Sequence, residues 1–578
     1  MALVVCFDFG TTSSGIAYLE HVDNANILSE ARNVTVIEHL LGSRHVPKVP
    51  SKIAYGPNKT IKWGFDAETE LGVISLLKLL PLEEEDIRDC LLNFDEYILS
   101  KKQMDKLNKD AIEVVSDYLR LLWAKFLADC ERHSPFGDEL EKNSLRIVFT
   151  VPAIWPEYYR VRLLEAARRA GILNTRPGLA KTTLEFVTEP EAAVYKLLHD
   201  SSIRNGLNIG DTMLTCDCGG GTIDVITYGC TSTTPLLVKE VIPGDGALYG
   251  GIILDQSFSE ALKTKLTALH GFSRPRMEQD RAGFRDTMIF GWEHGLKPSF
   301  DGSRSGTFRP FWLNAPPLSF SIDELEDIYD PVVAGILDVV NRQLDCLRAR
   351  GLPKPRFIML AGGFGLSLYV RNKLRQEFAD SQGIHIFQEE SDLSWSTVAR
   401  GGALFGLSSQ SLVRSRVLRD GFALVHSPEW EEDIHDERDF IVDPVRKTGL
   451  ARDQLLWFFK KGEDVDVGGF REYKLNFVWS RADRGIKRFE QPLYTSSAAV
   501  PPHRLKDAKK VDVTFAEHAK MAFETPVPVQ RLPLERGQRK LNYSLRIEAV
   551  SGRAVTLTAV WDENDQVIGR TRMNIKDT

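Results

Sequence analysis

VVCFDFGTTSSGIAYLE at residues 4–20 and MLTCDCGGGTIDVITYG at residues 213–229 are the two stretches that decide the fold. Each stretch runs from an apolar segment through Asp-x-Gly and small or hydroxyl-bearing residues into a second apolar segment. Apolar alternation on both sides of a Gly-rich centre predicts a β-hairpin with a tight polar tip. The pattern occurs twice, about 200 residues apart, so we interpret it as an internal repeat.

The two predicted tips carry groups that suit phosphate. Glycine has no Cβ, so backbone N–H groups at such a tip approach anionic oxygens without obstruction. Asp8 and Asp217 supply acceptors for Mg²⁺ or for its bound water. A single tip of this kind is more simply an ordinary turn, but the duplication favours phosphate binding. The hydroxyl donors of the tips are Thr11, Thr12, Ser13 and Thr222.

Composition and other motifs exclude several classes of protein. The net charge of -7 argues against a dedicated nucleic-acid-binding protein, which needs a basic face. The basic run RLKDAKK at 504–510 is most simply a solvated loop. The Walker A pattern is absent, and GDGALYGG at 244–251 lacks the spacing of a Rossmann loop, so P-loop and Rossmann sites are disfavoured.

Several features indicate a protein that stays in the cytoplasm and makes no membrane contact. No apolar run approaches the ~18 residues that cross a bilayer, and the first apolar segment has no preceding basic residues. The seven cysteines are scattered, which suits reduced thiols better than a disulfide framework. Cys216 and Cys218 are more simply small apolar strand residues than metal ligands.

Helical periodicity accompanies these strands and predicts an α/β class. One apolar stripe runs from Ile112 to Phe126, and another from Leu325 to Leu347. Ser321 and Glu324 have the spacing of a capping box for the second helix. Gly351 is positioned to end it.

The composition changes after Leu407, and we expect a linker over 409–440 that includes the acidic run EWEEDIHDERD at 429–439. Beyond it, alternating apolar residues predict a β-rich domain over 441–578. An exposed aromatic strand there could bind a protein partner, although such residues are more simply the core face. The predicted strands contain Tyr473 to Trp479, Val511 to Phe515, Tyr543 to Ile547 and Val555 to Trp561.

With these motifs in order, the chain resembles the heat shock 70 kDa protein family of the actin-like ATPase superfamily. The resemblance covers residues 3–407 and implies duplicated actin-like (ribonuclease H-like) lobes around a cleft, with 1–408 as the nucleotide-binding domain. It also implies that ATP or ADP and Mg²⁺ are bound. The further matching segments are VFTVPAIWPEYYRVRLLEAARRAGI (148–172), VTEPEAAVYKL (187–197), IMLAGGFGLSLYVRNKL (358–374) and STVARGGALFGL (396–407).

The resemblance assigns roles residue by residue. Glu189 falls on an acid that orients water, and Lys78 on a lysine beside the transferred phosphate. Glu189 is otherwise a helix N-terminal acid, and Lys78 an ordinary lysine of an amphipathic helix. Asp8 and Asp217 would act in catalysis and meet the metal through water. The phosphate-loop residues are Gly10, Thr11, Thr12, Gly219, Gly220, Gly221 and Thr222.

The resemblance also implies a set of adenosine contacts. Gly362 and Gly363 would let adenine approach the backbone, or they are plain turn glycines. Glu293 and Lys297 resemble an adenosine-contacting acid and base, but their spacing is one residue wider than usual, so an ordinary surface pair is the alternative. The remaining contacts are Gly250 and Gly251, before which one residue is inserted.

Departures from the usual family pattern favour the divergent type-12 branch. Ser13 and Ser14 replace an aromatic position, and Phe364 and Leu366 stand where polar or basic residues are usual. Cys218 follows Asp217. No helical lid follows the predicted β domain, which would be a degenerate substrate-binding domain.

We therefore expect an ATP-binding protein with weak ATPase activity, in which closure of the lobes changes the affinity for a protein client or partner. One alternative is a nucleotide-sensing scaffold with negligible turnover. Another is a small-molecule kinase of the same superfamily.

Overall fold

Two compact units make up the chain. The first contains Met1–Trp155, Tyr159–Leu237 and Gly244–Leu412, and the second contains Pro156–Tyr158, Val238–Pro243 and Val413–Thr578. None of the described helices is long and apolar enough to cross a membrane. The computed structural model describes the chain except for residues 1, 22–33, 42–43, 69, 71, 133–139, 141–142, 177–180, 199–200, 269–280, 310–316, 390–392, 408–411, 512–515, 552–553 and 575–578.

The first repeated stretch forms a hairpin at the centre of one sheet. Its strands, Ala2–Asp8 and Ser13–His21, are antiparallel, and Asp8 lies opposite Gly15. We call it the first hairpin. Ala2–Asp8 pairs in parallel with Ser144–Val151 on its other side. The strand order of the sheet is Thr183–Thr188, Ser144–Val151, Ala2–Asp8, Ser13–His21 and Thr35–Val36, with Val49–Pro50 also paired to Ser13–His21.

The second repeated stretch forms a hairpin in another sheet with the same pattern of pairing. Thr212–Cys218 and Ile223–Thr233 are antiparallel, with Asp217 opposite Asp224. We call this the second hairpin. Every residue of Thr212–Cys218 is buried, which is typical of a central strand covered on both faces. The strand order is Leu236–Glu240, Ile223–Thr233, Thr212–Cys218, Phe357–Ala361 and His385–Gln388, with Asp245–Ala247 paired to Ile223–Thr233.

Helices and three small strand pairs complete the part of the chain before residue 412. The strand pairs are His39–Leu41 with Arg44–Val46, Ile53–Tyr55 with Ile61–Trp63, and Gly306–Phe308 with Leu318–Phe320. The α-helices are Phe65–Glu68, Asp89–Leu92, Asp95–Leu107, Ala111–Arg132, Glu157–Arg169, Glu189–Leu197, Ser201–Gly206, Gly251–Ala268, Arg281–Asp286, Lys297–Ser299, Ile322–Ala349, Leu368–Leu374 and Thr397–Leu407. The π-helices are Thr287–Leu296 and Arg375–Asp380. The 3₁₀ turns are Pro57–Lys59, Glu84–Asp86, Phe364–Leu366 and Ser394–Ser396.

The predicted helices are present. Ala111–Arg132 contains the first apolar stripe, and its core-facing residues Leu119 and Phe126 are fully buried. In Ile322–Ala349, both hydrogen bonds of the Ser321 and Glu324 capping box are formed. That helix ends two residues before Gly351, which has the positive φ of 66° that favours glycine.

The second unit is built mainly from two antiparallel sheets around one apolar core. Phe422, Leu493, Leu545 and Leu557 belong to that core, and each is at most 1% exposed. One sheet has the order Gln454–Phe459, Gly421–His426, Arg488–Ser496 and Ala516–Glu524. The other has the order Phe470–Ser480, Gln538–Ser551, Ala554–Trp561 and Gln566–Asn574, with Leu534–Glu535 paired to Gln538–Ser551. The remaining elements are the strand pairs Ser415–Val417 with Asp464–Asp466 and Phe440–Val442 with Gly449–Ala451, the helix Leu505–Val511, and the 3₁₀ turns Glu437–Asp439 and Val529–Arg531.

Two expectations for this part of the chain are wrong. A linker over 409–440 does not hold for 415–426, because Ser415–Val417 and Gly421–His426 are strands and Phe422 is part of the core. The acidic run also contributes a buried carboxylate, since Asp439 is 5% exposed.

The basic run at 504–510 is not a solvated loop either. It lies mainly in the helix Leu505–Val511, which buries Ala508 completely. The Arg504 guanidinium lies 2.6 Å from carboxylate oxygens of both Asp436 and Asp439. Val511 therefore ends a helix, and the rest of the strand predicted over 511–515 lies outside the described residues. The other three predicted strands are present.

Candidate functional site

The tips of the two hairpins lie against each other. A Cβ atom on Gly221 would come within 2.6 Å of the Thr11 hydroxyl oxygen, and a Cβ on Gly220 would overlap the Thr12 side chain. The close approach therefore requires glycine at both positions of the second tip. Neither glycine has a positive φ, so the requirement comes from space and not from backbone conformation.

The first tip is held by hydrogen bonds from Ser51. The Ser51 hydroxyl donates a hydrogen bond of 2.7 Å to the Gly10 carbonyl. The Ser51 amide donates another, of 2.8 Å, to the Thr12 carbonyl. A Cβ on Gly10 would overlap the Ser13 carbonyl, so this turn also requires glycine. Both bonds hold the tip in one conformation.

The helix that begins at Gly251 packs onto the second tip. The Ile252 amide donates to the Gly220 carbonyl at 2.8 Å, and the Gly251 amide donates to the Gly219 carbonyl at 3.3 Å. A Cβ on Gly250 would come within 2.6 Å of the carbonyl oxygens of both tip glycines. The structure thus brings the predicted Gly250 and Gly251 to the second hairpin, despite the inserted residue.

Asp8 is buried beside a lysine that the sequence did not single out. Its Oδ2 atom lies 2.7 Å from Nζ of Lys48, and its Oδ1 atom accepts a 3.0 Å hydrogen bond from the Thr150 hydroxyl. Burial opposes the charged form of Lys48, but the carboxylates of Asp8, Asp217 and Glu189 together outweigh it and raise the pKa of the Lys48 ammonium. Asp8 is therefore held between an ion pair with Lys48 and a hydrogen bond from Thr150.

Glu189 and Lys78 form a buried ion pair. Glu189 is the first residue of the helix Glu189–Leu197, where Thr188 is the N-cap. Lys78 lies in a turn and is 2% exposed, so it is not an ordinary lysine of an amphipathic helix. Its Nζ atom lies 5.2 Å from the centre of the Trp155 ring, which gives the ammonium a further favourable contact.

Four buried carboxylates interact electrostatically at this place. Burial raises the pKa of Glu189 to about 7, and the charges of Asp8 and Asp224 add to the effect while Lys78 opposes it. Burial and the charges of Glu189, Asp224 and Asp8 raise the pKa of Asp217 well above its usual value. The four acids outnumber the two lysines nearby, and their crowding favours the neutral forms of Glu189, Asp217 and Asp224, so a bound cation would stabilise their charged forms.

Asp224 is a member of this group that sequence reasoning missed. It is fully buried, and its Oδ1 atom accepts hydrogen bonds from the amides of Ala153 at 2.8 Å and Ile154 at 3.3 Å. The available signal was its position two residues after Thr222 in the second hairpin. Burial raises the pKa of Asp224, as it does for Asp217.

A direct protein cage for a metal ion is not found. Within the described ranges, no group of three or more His, Cys, Asp or Glu side chains has the arrangement to hold an ion. The donor set therefore fits Mg²⁺ only if water or a bound ligand supplies most of the coordination. Cys216 and Cys218 are fully buried strand residues, in agreement with the simpler interpretation of that pair.

Glu293 and Lys297 are paired, and a π-helix explains their spacing. The segment Thr287–Leu296 is π-helical, which fits one extra residue into a helical turn. Nζ of Lys297 lies 2.6 Å from Glu293 and 2.8 Å from Asp255, so the pair is not an isolated surface pair. Asp255 was missed, although it lies one helical turn after Gly251.

The remaining predicted residues join the same region. A Cβ on Gly251 would lie 3.6 Å from Nζ of Lys297 and 3.8 Å from Cβ of Phe364. Gly362 has a positive φ of 79°, and a Cβ there would overlap the Asp217 carboxylate. A Cβ on Gly363 would meet nothing within 4 Å, which leaves open space above this turn. The structure thus brings the phosphate-loop, Gly-Gly and Lys297 positions to the two hairpin tips.

Comparisons with known proteins place the chain beside heat shock 70 kDa proteins. No protein-family model matches it. It is 23% identical to human heat shock 70 kDa protein 12B over 508 residues, 72% of this chain and 70% of that protein. It is 22% identical to mouse heat shock 70 kDa protein 12A over 70% of this chain and 69% of that protein. A chaperone protein HscA homolog of Mannheimia succiniciproducens is 27% identical over 39% of this chain and 32% of its own length. The chain is thus similar to the heat shock 70 kDa proteins 12A and 12B over about 70% of its length, at an identity that makes it a divergent relative of them.

Proposed function

We propose that the chain binds ATP and ADP between the tips of the first and second hairpins, as a protein similar to the heat shock 70 kDa family. The observation that carries the proposal is the approach of Thr11 and Thr12 to Gly221 and Gly220. Two facing tips that offer backbone N–H groups and hydroxyls are suited to grip a polyphosphate from both sides. The similarity to proteins 12A and 12B supports the same conclusion.

The proposed architecture is a pair of actin-like, ribonuclease H-like lobes with a cleft for the nucleotide. Each hairpin belongs to a sheet in which an antiparallel hairpin is followed by a parallel strand. This repeated pattern supports an internal duplication. The nucleotide-binding domain would comprise the residues before 412, and the β-rich unit from 413 would be a separate domain.

The adenosine of the nucleotide would lie beside the turn that contains Gly362 and Gly363. The open space over Gly363 and the nearby Gly251 backbone leave room for a flat base and its ribose. Lys297 and Glu293 would donate and accept hydrogen bonds at this end of the ligand. Phe364, 6% exposed, supplies an apolar surface.

Magnesium would accompany the nucleotide. The excess of buried carboxylates supports a cation, but the lack of a protein cage among the described residues means that Asp8 and Asp217 would hold it through water. When bound, Mg²⁺ would neutralise phosphate charge. The protein's part is to keep these two carboxylates in place: Lys48 and Thr150 do this for Asp8.

Slow hydrolysis to ADP and phosphate would use Glu189 and Lys78. A carboxyl group with a pKa of about 7 is suited to accept a proton from an attacking water near neutral pH. Lys78 holds this carboxyl in place through their ion pair and adds positive charge for the developing anion. Closure of the lobes on the nucleotide would then change the affinity of the β-rich domain for a protein client or partner.

A second candidate is a nucleotide-sensing scaffold with negligible turnover. One observation favours it: Asp8 and Glu189 each form an ion pair with a lysine, which leaves both carboxylates less available to bind or activate water. Such a protein would bind ATP tightly and respond to it without consuming it.

One experiment distinguishes these functions. Pure protein is incubated with labelled Mg-ATP, with and without candidate sugars, and free phosphate, bound nucleotide and phosphorylated acceptor are measured. Release of free phosphate supports the ATPase. Tight binding without product supports the scaffold, and a phosphorylated sugar would indicate a small-molecule kinase instead. Failure to bind ATP or ADP contradicts the proposal.

A further inference from the structure

Strand pairing places Lys48 beside the tip of the first hairpin. The strand Val49–Pro50 pairs with Ser13 and Ser14 of the first hairpin, which brings the preceding Lys48 backbone to that hairpin. The aliphatic stem of Lys48 then passes over Gly15, where a Cβ would lie only 3.2 Å from Cγ of the lysine. Gly15 is the residue paired with Asp8, so the ammonium arrives beside the Asp8 carboxylate.

The ammonium is held in a desolvated position. The side chains of Lys48 and Asp8 are 10% and 5% exposed, and their charged atoms lie 2.7 Å apart. A buried ion pair persists only where the geometry compensates for the lost water. Asp217 and Glu189 also interact electrostatically with the Lys48 ammonium, so this lysine stabilises several carboxylates of the group. Lys48 is therefore a fixed positive charge at the place where a nucleotide's metal ion would bring one.

We propose that Lys48 is a resident cation of the nucleotide site, which lets the chain bind ATP and ADP as the metal-free anions. This inference rests on the proposed nucleotide binding and adds the form of ligand that the site accepts. A lysine fixed by the fold carries its charge whether or not a divalent ion is present. It neutralises Asp8, and that removes the repulsion that a bare carboxylate would exert on the phosphates.

The test measures affinity and not turnover. Binding of ATP and of ADP is followed by calorimetry in Mg²⁺ and in excess EDTA, with the wild type and the Lys48→Met and Lys48→Arg variants. We expect the wild type and Lys48→Arg to bind in EDTA. In Lys48→Met we expect the affinity in EDTA to fall by about 10- to 100-fold, since a charged hydrogen bond is lost, with a smaller loss in Mg²⁺.

Two further variants control for loss of a lysine elsewhere and for instability of Lys48→Met. Lys125→Met removes one lysine from an ion pair with Asp129 at 3.0 Å, so it matches the change in charge away from the hairpin tips, and we expect wild-type binding. If Lys48→Met is unstable, Lys48→Met with Asp8→Asn removes both buried charges together and avoids an uncompensated carboxylate. Because that double variant loses the repelling carboxylate together with the lysine, we expect its affinity in EDTA to stay close to that of the wild type.

The outcomes separate this inference from the proposed function. A wild type that binds nucleotide only with Mg²⁺ overturns the role of Lys48 and leaves nucleotide binding intact. So does a folded Lys48→Met that keeps the wild-type affinity in EDTA, or a folded double variant whose affinity in EDTA falls by about 10-fold or more. A wild type that binds neither nucleotide under either condition overturns the proposed function itself, and the role of Lys48 with it.

Discussion

Thr12 in the first hairpin lies so close to Gly220 in the second that no side chain larger than hydrogen fits at position 220. Because the two residues are 208 positions apart in the chain, only the approach of the two sheets explains this contact. It is also the point at which we place the phosphates. A larger residue at position 220 should therefore disturb the proposed phosphate site.

Gly220→Val is expected to abolish nucleotide binding in a folded protein. The branched side chain would collide with Thr12 and push the two tips apart, which removes the backbone donors from their places. Binding of ATP by calorimetry, with circular dichroism to verify the fold, measures the effect. Gly206→Ala is a matched control, since a Cβ there would make only an ordinary 3.5 Å contact with Phe357. Wild-type affinity in folded Gly220→Val would mean that the second hairpin is only structural.

Glu189 should make stability depend on pH in a definite direction. Its pKa is about 7 in the folded protein and near 4.5 when exposed, so the folded state binds the extra proton. This group therefore contributes stability that is complete below about pH 4.5 and is lost as pH rises toward 7. In Glu189→Gln the contribution is absent.

The measurement is the free energy of unfolding of the wild type and Glu189→Gln at several values between pH 5 and 8. As pH rises, we expect the free energy of unfolding of the wild type to fall relative to that of Glu189→Gln by up to about 3 kcal/mol. Each pKa unit corresponds to ~1.4 kcal/mol. Equal slopes in the two proteins would show that Glu189 is not held in the surroundings described above.

Much of the fold could be predicted because it depends on neighbours in the sequence. The two hairpins follow from alternation around glycines, and the start of Ile322–Ala349 follows from the spacing of Ser321 and Glu324. The helix Leu505–Val511, where we expected a solvated loop, shows the limit of such local prediction. Its charges looked solvated, but Arg504 meets Asp436 and Asp439 from a distant part of the chain.

The site was predictable where a residue lies in a motif and not where it arrives from elsewhere. Lys48 lies in no pattern, and only the pairing of Val49–Pro50 with the first hairpin brings it to Asp8. Glu293 and Lys297 lie one residue further apart than is usual in the family, so an ordinary surface pair was the alternative. The π-helix Thr287–Leu296 accommodates the extra residue, and such a local widening has no clear sequence signal.

Asp8→Asn and Asp217→Asn should both weaken binding of Mg-ATP but differ in their effect on stability. When Mg²⁺ is bound, each carboxylate would be drawn into its charged form to hold the metal's water, and asparagine cannot carry that charge. Asp8→Asn also leaves Lys48 buried without its counter-ion, at an expected cost of about 3 kcal/mol. Asp217 sits where burial and three other acids favour its neutral form, so asparagine should cause little loss there.

Calorimetry in Mg²⁺ and chemical denaturation of the apo proteins measure the two effects. Lys125→Met is again the control for an ion pair away from the site. Unchanged affinity for Mg-ATP in both variants would remove Asp8 and Asp217 from the metal site. Equal stability of Asp8→Asn and the wild type would mean that the Lys48 pair contributes nothing to the fold.

The last prediction is that only the first unit responds to the nucleotide. Every phosphate and adenosine position lies before residue 412, whereas the core of the second unit is formed by residues after 413. Fragment 1–412 should therefore fold and gain about 2.7 kcal/mol of stability at ~100 times the dissociation constant of Mg-ATP. A thermal melt with and without nucleotide shows the gain, and fragment 413–578 should melt at the same temperature in both.

Two details make the test decisive. Val238 and Val413 are bridged, and the Arg414 amide donates to the Val238 carbonyl at 2.8 Å, so a second fragment that ends at Arg419 keeps these contacts. Gly220→Val in fragment 1–412 or in fragment 1–419 should eliminate the thermal shift. If fragments 1–412 and 1–419 are both insoluble, or neither of them responds while the full chain does, the division at 412 is wrong. Nucleotide binding would then need residues of the β-rich unit, and that unit could not act as a separate reader of the nucleotide.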